Sequence, residues 1–261
     1  MENNQLVQVC TSDSIYLHGY YAPTSDKKTI LLHIHGLSEN FYKNNFVRYL
    51  SQELSKDNIS FLTVNTRGNG SNTEFDTKEG KAICIGGKKE LLEEAHLDIT
   101  AWIEFILSEN YDNIILSGHS LGTFKVVRYL FEGKYASKIK KLILLAPFDM
   151  KYNAEIHNAK EWLSPNTYNS WMSGDDFSKM FEFCDSKYDY PILNKINIPV
   201  KIIVGEKDEH FYPSNSEHPE EAVNILSKNI KNSEVVIIPN ASHFFEPHTD
   251  ILKNEIINFI N

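Results

Sequence analysis

The chain has 261 residues, of which 41% are hydrophobic and 23% are charged, a balance typical of an ordinary globular protein. Its formal net charge of −9 argues against nucleic acid and anionic membranes as partners, because both require a basic surface. The chain starts without a basic region followed by an apolar stretch, and its longest apolar run, at 142–148, is too short to cross a bilayer. We therefore expect a cytoplasmic location and no membrane span.

The first half of the chain predicts a hairpin followed by alternating strands and helices. Two apolar-alternating runs, at 6–10 and 15–21, predict the antiparallel hairpin. The elements expected after it are a buried strand at 29–36, a helix at 46–54, a buried strand at 59–64, a loop at 67–72 and a long helix at 90–108.

The second half continues this alternation. The elements expected here are a strand at 114–116, a helix at 121–130, further strands at 139–146, 200–204 and 234–238, and a last helix from about 251 onward. Strands that alternate with helices predict an α/β fold with a mostly parallel sheet and helices on both of its faces. The hairpin adds an antiparallel ribbon at the edge.

Residues 147–199 interrupt the alternation, because they contain no buried strand and are rich in aromatic rings. An insertion of this length after a strand, at the carboxyl edge where ligands bind in α/β sheets, predicts a cap or lid. A surface excursion with its own small core is the alternative. The predicted organisation is therefore a core made of residues 1–146 and 200–261, with a cap made of residues 147–199.

The stretch Gly118-His119-Ser120-Leu121-Gly122 lies between a predicted strand and a predicted helix and has the pattern G-x-S-x-G. A serine on such a tight turn has a strained backbone and a hydroxyl that projects above the sheet. Glycine two residues away on each side lets the strand and the helix pass closely, because it has no Cβ. The pattern predicts that Ser120 is a catalytic nucleophile; a turn that merely links two elements is the alternative.

A serine hydroxyl is a weak nucleophile and needs a base that is oriented by an acid. In the chain order of this fold class, the acid follows a later strand and the base follows the last strand. Asp208, after the next-to-last predicted strand, is the predicted acid, and His243, after the last one, is the predicted base. Asp149 remains an alternative acid and His248 an alternative base.

The negative oxygen that develops during acyl transfer needs two backbone N–H donors. Leu121, directly after the nucleophile, is expected to supply one, and Leu37, in the loop after the strand at 29–36, the other. His33 and His35 form an H-x-H pattern that also occurs in metal sites, but no carboxylate or further histidine stands at a supporting spacing. We expect neither a metal nor a cofactor.

Together these residues resemble the α/β-hydrolase family of serine esterases, lipases, thioesterases and peptidases. The resemblance is carried by His35-Gly36, Gly118-His119-Ser120-Leu121-Gly122, Gly205 to Asp208, and Ser242-His243. It implies the α/β-hydrolase fold and hydrolysis. A closer resemblance, to the uncharacterised family that includes fungal siderophore esterases, is carried by Glu39-Asn40-Phe41-Tyr42, Thr66-Arg67-Gly68, the stretch 98–103 and Lys125. It implies ester hydrolysis on a fairly large, polar substrate.

We predict a serine hydrolase, foremost a carboxylic-ester hydrolase, that forms an acyl-enzyme and acts on a small-molecule ester or acyl substrate as a monomer or homodimer. An amide or peptide hydrolase, or a thioesterase, would use the same residues. A ligand-binding receptor on this fold would be expected to have a damaged triad. A lyase or an acyltransferase that shares the fold also remains open.

Overall fold

The computed structural model describes residues 4–147, 193–208, 223 and 226–261. Its strands are β1 (Gln5–Cys10), β2 (Tyr16–Ala22), β3 (Thr29–Ile34), β4 (Ile59–Val64), β5 (Glu74–Asp76), β6 (Ala82–Cys84), β7 (Asn113–His119), β8 (Ile139–Leu145), β9 (Val200–Gly205) and β10 (Ser233–Ile238). Its α-helices are α1 (Asn45–Glu53), α2 (Ala95–Ser108), α3 (Leu121–Glu132) and α4 (Thr249–Ile260). None of these described helices is both long and apolar enough to cross a membrane.

Most of the predicted cap at 147–199 lies outside the described residues, as does the alternative acid Asp149. The cap and the division of the chain into core and cap therefore stay predictions.

Eight of the described strands form one sheet in the order β1-β2-β4-β3-β7-β8-β9-β10, and β5 and β6 form a separate ribbon. β1 pairs antiparallel with β2, and β2 pairs antiparallel with β4. The remaining neighbours in the large sheet pair in parallel. A mostly parallel sheet with an antiparallel N-terminal ribbon confirms the fold class predicted from the sequence.

The middle of the sheet is buried on both faces because helices cover both faces. All six residues of β4 and all six of β9 are buried. On one face, α2 and α3 contribute Trp102 and Val126 to the core. On the other face, α1 and α4 contribute Phe46 and Leu252. The prediction of helices on both faces of the sheet is confirmed.

Two features between β4 and α2 differ from the sequence prediction. The helix predicted at 90–108 begins at Ala95, after a short 3₁₀ turn at Leu92–Glu94. The preceding Glu90 is buried in an ion pair with Lys125, and its backbone N–H donates to the Gly86 oxygen in a turn that precedes the helix. The ribbon of β5 and β6 escaped prediction because each of its strands has three residues.

Candidate active site

The residues predicted to form the site lie beyond the carboxyl ends of parallel strands. Ser120 directly follows β7, and Leu37 lies in the loop after β3, the strand paired with β7. Asp208 follows β9, and His243 follows β10, the strand paired with β9. Since the carboxyl ends of parallel strands share one edge of a sheet, all four residues lie along the same edge.

Ser120 lies on a strained turn between β7 and α3. Its backbone has φ 51° and ψ −125°, a conformation that costs a non-glycine residue on the order of 1–3 kcal/mol. Hydrogen bonds hold the turn: the Ser120 N–H donates to the Leu145 carbonyl oxygen, and the Thr123 N–H donates to the Ser120 carbonyl oxygen, both at 2.9 Å. This is the strand-turn-helix geometry that the pattern G-x-S-x-G predicts.

The two outer glycines of the pattern lie where no side chain fits. A Cβ on Gly118 would lie 2.3 Å from the carbonyl oxygen of Gly122, and a Cβ on Gly122 would lie 2.4 Å from the carbonyl oxygen of Ile34 in β3. Real Cβ atoms essentially never approach other heavy atoms this closely. Helix α3 can therefore begin directly over β3 and β7 because both positions are glycine.

The predicted acid and base are in contact. His243 Nδ1 lies 2.8 Å from Oδ1 and 2.9 Å from Oδ2 of Asp208. Both residues are buried, with exposed fractions of 4% for His243 and 1% for Asp208. A carboxylate in this position fixes the tautomer in which Nδ1 carries the proton, so that Nε2 carries the lone pair that can accept another.

The contact between Asp208 and His243 depends on a close approach of two loops. A Cβ on Gly205, at the end of β9, would lie 2.3 Å from the carbonyl oxygen of Ala241. The Lys207 N–H donates to the same Ala241 oxygen at 2.9 Å. The glycine thus lets the loop after β10 pass over the end of β9, which sets the two side chains opposite each other.

Two backbone N–H groups lie next to the elbow. The N–H of Leu121 is at the first position of α3, where no intrahelical acceptor exists. Leu37 follows Gly36, and a Cβ on Gly36 would lie 3.0 Å from Cβ of Ser120. Within the described part of the chain, neither the Leu37 nor the Leu121 N–H donates a hydrogen bond to a backbone oxygen. Two such donors beside a serine are what an oxyanion hole requires.

A buried contact that the sequence analysis missed joins the same loops. Glu39 Oε2 accepts a hydrogen bond from the Gly36 N–H at 2.9 Å and lies 3.1 Å from Nδ1 of His119. His119 Nε2 lies 3.0 Å from the backbone oxygen of His243. The spacing of Gly36 and Glu39 could have indicated the first of these hydrogen bonds, since an acidic side chain three residues on can turn back to a backbone N–H. No local signal indicates the contact of Glu39 with His119.

His33 and His35 are engaged by neighbours in the sheet. His33 Nδ1 lies 3.0 Å from Ser117 Oγ. His35 Nε2 accepts from the Thr66 N–H at 3.1 Å, and its Nδ1–H donates to the Gly36 oxygen at 2.7 Å. Burial lowers the pKa of His33 to about 3 and the pKa of His35 to about 4, so both rings are neutral at neutral pH. Among the residues that the structure describes, no group of three potential metal ligands occurs.

The alternative base, His248, occupies a different place. It directly precedes α4, and its backbone N–H donates to the Phe245 oxygen at 2.7 Å. The contact with Asp208 described above is made by His243, and the assignment of His243 as the base stays a prediction.

The sheet order, the strained elbow and the loops at the carboxyl edge define an α/β-hydrolase fold. The chain belongs to the family described as "Serine aminopeptidase, S33", whose model matches residues 25–182, and it is therefore an α/β-fold hydrolase. The matched region includes Leu37 and Ser120 and ends before Asp208 and His243. No curated protein sequence matches the chain significantly.

Solved structures of three esterases are similar to the chain over nearly its whole length. Est1E from Butyrivibrio proteoclasticus with ferulic acid bound has a TM-score of 0.72 and 20% identity, covering 97% of this chain and 98% of its own. The Pyrococcus furiosus esterase Pf2001 has a TM-score of 0.67 and 18% identity, covering 99% and 92%. A thermophilic esterase from Thermogutta terrifontis with malate bound has a TM-score of 0.65 and 18% identity, covering 98% of each chain. Identities this low show a shared fold, and the closer resemblance to the family that includes fungal siderophore esterases stays a prediction.

Proposed function

We propose that the chain is a carboxylic-ester hydrolase that acts through Ser120, His243 and Asp208. The observation that carries this proposal is the contact of His243 Nδ1 with both carboxylate oxygens of Asp208, at 2.8 and 2.9 Å, on the sheet edge where the strained Ser120 lies. A buried acid-base pair of this kind is suited to take a proton from a serine hydroxyl.

In the first half-reaction, His243 Nε2 takes the hydroxyl proton of Ser120 as Oγ attacks the carbonyl carbon of the ester. The carbonyl oxygen becomes negative and accepts hydrogen bonds from the N–H groups of Leu37 and Leu121. When the tetrahedral intermediate collapses, His243 gives its proton to the leaving alkoxide. The alcohol departs and the acyl group remains on Ser120 Oγ.

In the second half-reaction, a water molecule attacks the acyl carbon and His243 Nε2 takes one of its protons. The second intermediate collapses, Ser120 Oγ leaves, and the proton returns to it from His243. The carboxylic acid is released. Asp208 stays ionised throughout and accepts the Nδ1–H of the imidazolium, and neither half-reaction requires a cofactor.

The proposed substrate is a small-molecule ester or acyl compound. Three esterases with the same fold, one of them with ferulic acid bound, support this class. We include a cap at 147–199 in the proposal: the segment follows β8, and Leu145 at the end of β8 accepts the Ser120 N–H, so a cap here would start beside the nucleophile. A cytoplasmic location and a monomeric or homodimeric state belong to the same proposal.

The description of the family as a serine aminopeptidase favours an amide or peptide hydrolase as the second candidate. The same three side chains would carry that reaction. An amine is a poorer leaving group than an alcohol, so His243 would have to protonate the nitrogen before it departs.

The proposal is tested with p-nitrophenyl esters, p-nitroanilides and thioesters of one series of acyl groups. We expect the highest kcat/KM for the esters. Ser120→Ala should abolish turnover and labelling by a fluorophosphonate without changing the melting temperature, whereas Ser108→Ala, at the exposed end of α2, should retain both. Full activity of Ser120→Ala would disprove the mechanism, and faster cleavage of the anilides would favour the second candidate.

A further inference from the structure

The buried side chains of Glu39 and His119 connect three loops of the proposed site. Glu39 Oε2 accepts a hydrogen bond from the Gly36 N–H, in the loop after β3. His119 is the last residue of β7 and directly precedes Ser120 in the elbow. Its Nε2 lies 3.0 Å from the backbone oxygen of His243, in the loop after β10. One pair of side chains therefore touches all three loops.

Both ring nitrogens of His119 face groups that can only accept hydrogen bonds. Nδ1 faces the carboxylate of Glu39 at 3.1 Å, and Nε2 faces the carbonyl of His243 at 3.0 Å. Both contacts are hydrogen bonds when both nitrogens carry a proton, which makes the ring an imidazolium cation. Since the exposed fraction of His119 is 0%, its charge requires the carboxylate of Glu39 as a counter-ion.

The surrounding charges favour this state of the ring. Burial alone would lower the pKa of His119, but the charge of Glu39 and the hydrogen bonds with Glu39 and His243 raise it above its ordinary value. Burial alone would raise the pKa of Glu39, but the charge and the hydrogen bond of His119 hold it well below its ordinary value. Among the described residues, the other titratable groups that face His119 are His33, which burial keeps neutral, together with Asp208 and His243.

We infer that the Glu39–His119 ion pair is a positioning device for catalysis. Glu39 holds the Gly36 peptide, from which the oxyanion loop continues, and the cationic His119 holds the backbone of the base His243. This inference rests on the proposed function. In this role neither side chain touches the substrate, and both act through backbone groups. Because a misplacement of about 1 Å can cost about 10²-fold in rate, loosening these contacts lowers kcat.

His33 provides a matched control for the loss of a buried imidazole. The rings of His119 and His33 both pack on Phe46, with centroid distances of 5.0 Å and 5.7 Å. Both residues are almost completely buried. The hydrogen bond of His33, however, is with Ser117 inside the sheet. A variant of His33 therefore removes a comparable ring without removing the connection between the loops.

Two double variants separate the two contacts of the His119 ring. Asn places an amide nitrogen near the position of Nδ1, and Gln places one near the position of Nε2. Glu39→Gln/His119→Gln therefore keeps a donor toward the carbonyl of His243, and Glu39→Gln/His119→Asn loses it. Both double variants remove the buried charge pair, so they differ mainly in which contact remains.

Rates are measured on a p-nitrophenyl ester and divided by the concentration of sites that a fluorophosphonate labels, so that unfolded protein is not counted. We expect kcat of Glu39→Gln/His119→Asn to fall about 10- to 100-fold with KM changed by less than about twofold, because the base is displaced and the substrate still binds. Glu39→Gln/His119→Gln should keep kcat within about fivefold, and His33→Asn within about threefold. Equal kcat values for the two double variants would overturn the positioning role.

The charge of the His119 ring can be measured independently of activity. Nitrogen NMR of the wild-type protein is expected to show both ring nitrogens of His119 protonated at neutral pH, and a neutral ring at His119 in wild type would overturn the ion pair whatever the activity. A wild-type protein that is not labelled and hydrolyses no substrate would overturn the proposed function, and with it the positioning role. The NMR result would then still report the charge of His119, so the two failures are distinguishable.

Discussion

The ammonium group of Lys125 lies 2.5 Å from Oε1 of Glu90, and both side chains are almost fully buried. Lys125 Nζ also donates to Thr66 Oγ1 at 3.2 Å. The Thr66 N–H in turn donates to Nε2 of His35 at 3.1 Å. These contacts connect α3 with the end of β3, from which the proposed oxyanion loop starts.

Removal of one member of the Lys125–Glu90 pair should destabilise the fold strongly. Lys125→Met leaves Glu90 as a buried, unpaired charge, which costs about 3–5 kcal/mol of unfolding free energy, measured by urea denaturation. Lys125→Met/Glu90→Met should recover most of this loss, because no charge is then left to desolvate. If the single and double variants are equally unstable, the ion pair does not explain the burial of these side chains.

Asp208→Asn should impair catalysis without unfolding the protein. The amide cannot stabilise the imidazolium of His243 and favours the wrong tautomer, so kcat on a p-nitrophenyl ester should fall by about 10³- to 10⁴-fold. Glu206→Gln is the control, because Glu206 lies in the same turn and accepts a hydrogen bond from the Asn240 N–H at 2.7 Å. Wild-type kcat in Asp208→Asn would remove Asp208 as the acid and bring Asp149 back into consideration.

Gly122→Ala should destabilise the elbow by steric overlap. The new Cβ would lie 2.4 Å from the Ile34 carbonyl oxygen, and moving α3 away from β3 should cost about 2–4 kcal/mol in unfolding free energy. Gly80→Ala is the control: its φ is +74° but no atom lies within 4 Å of the added Cβ, so only the cost of a left-handed backbone, about 1–2 kcal/mol, applies. Equal melting temperatures for the two variants would contradict the overlap.

His35 should make the protein less stable in acid. Burial and the nearby charge of Lys125 lower the pKa of His35 from 6.5 to about 4. Between these pH values the unfolded chain binds a proton at His35 that the folded chain does not. The contribution of the neutral His35 to the unfolding free energy is therefore complete above pH 6.5 and is lost as pH falls toward 4. The loss is on the order of 3 kcal/mol.

His35→Gln tests this pH dependence, since its amide oxygen can still accept from the Thr66 N–H. Unfolding free energies measured from pH 6.5 down to pH 4 should fall less steeply in this variant than in wild type. Identical slopes would show that His35 does not titrate differently in the folded and unfolded chains.

The strands and the elbow could be predicted because their signals are local. Every residue of β4 is buried, and four of its six residues are apolar, which marks it as a buried strand. The glycines around Ser120 are required by sterics within a few residues. Asp208 and His243 are candidates by strand order, since each lies in the loop that follows a strand ending at the same edge of the sheet.

Features set by contacts between distant residues escaped prediction. Helix α2 begins at Ala95 rather than at residue 90, and Glu90, before the helix, pairs with Lys125, which is far away in the chain. The role of Glu39 depends on His119, and their contact spans 80 positions of sequence. No periodicity or local pattern reports a contact of this kind, so it has to be observed in the folded chain.

The positions of β7 and β10 in the sheet predict which part of the proposed site is lost first on heating. β10 is at the outer edge of the described sheet, and most of its residues are only half-buried. β7 lies between β3 and β8, and all but its first residue are buried. Because peripheral elements open at a smaller free energy than central ones, warming should first release the loop that carries His243 while the turn of Ser120 persists. Heat inactivation would then begin below the temperature at which secondary structure is lost, and cooling from that interval would restore turnover.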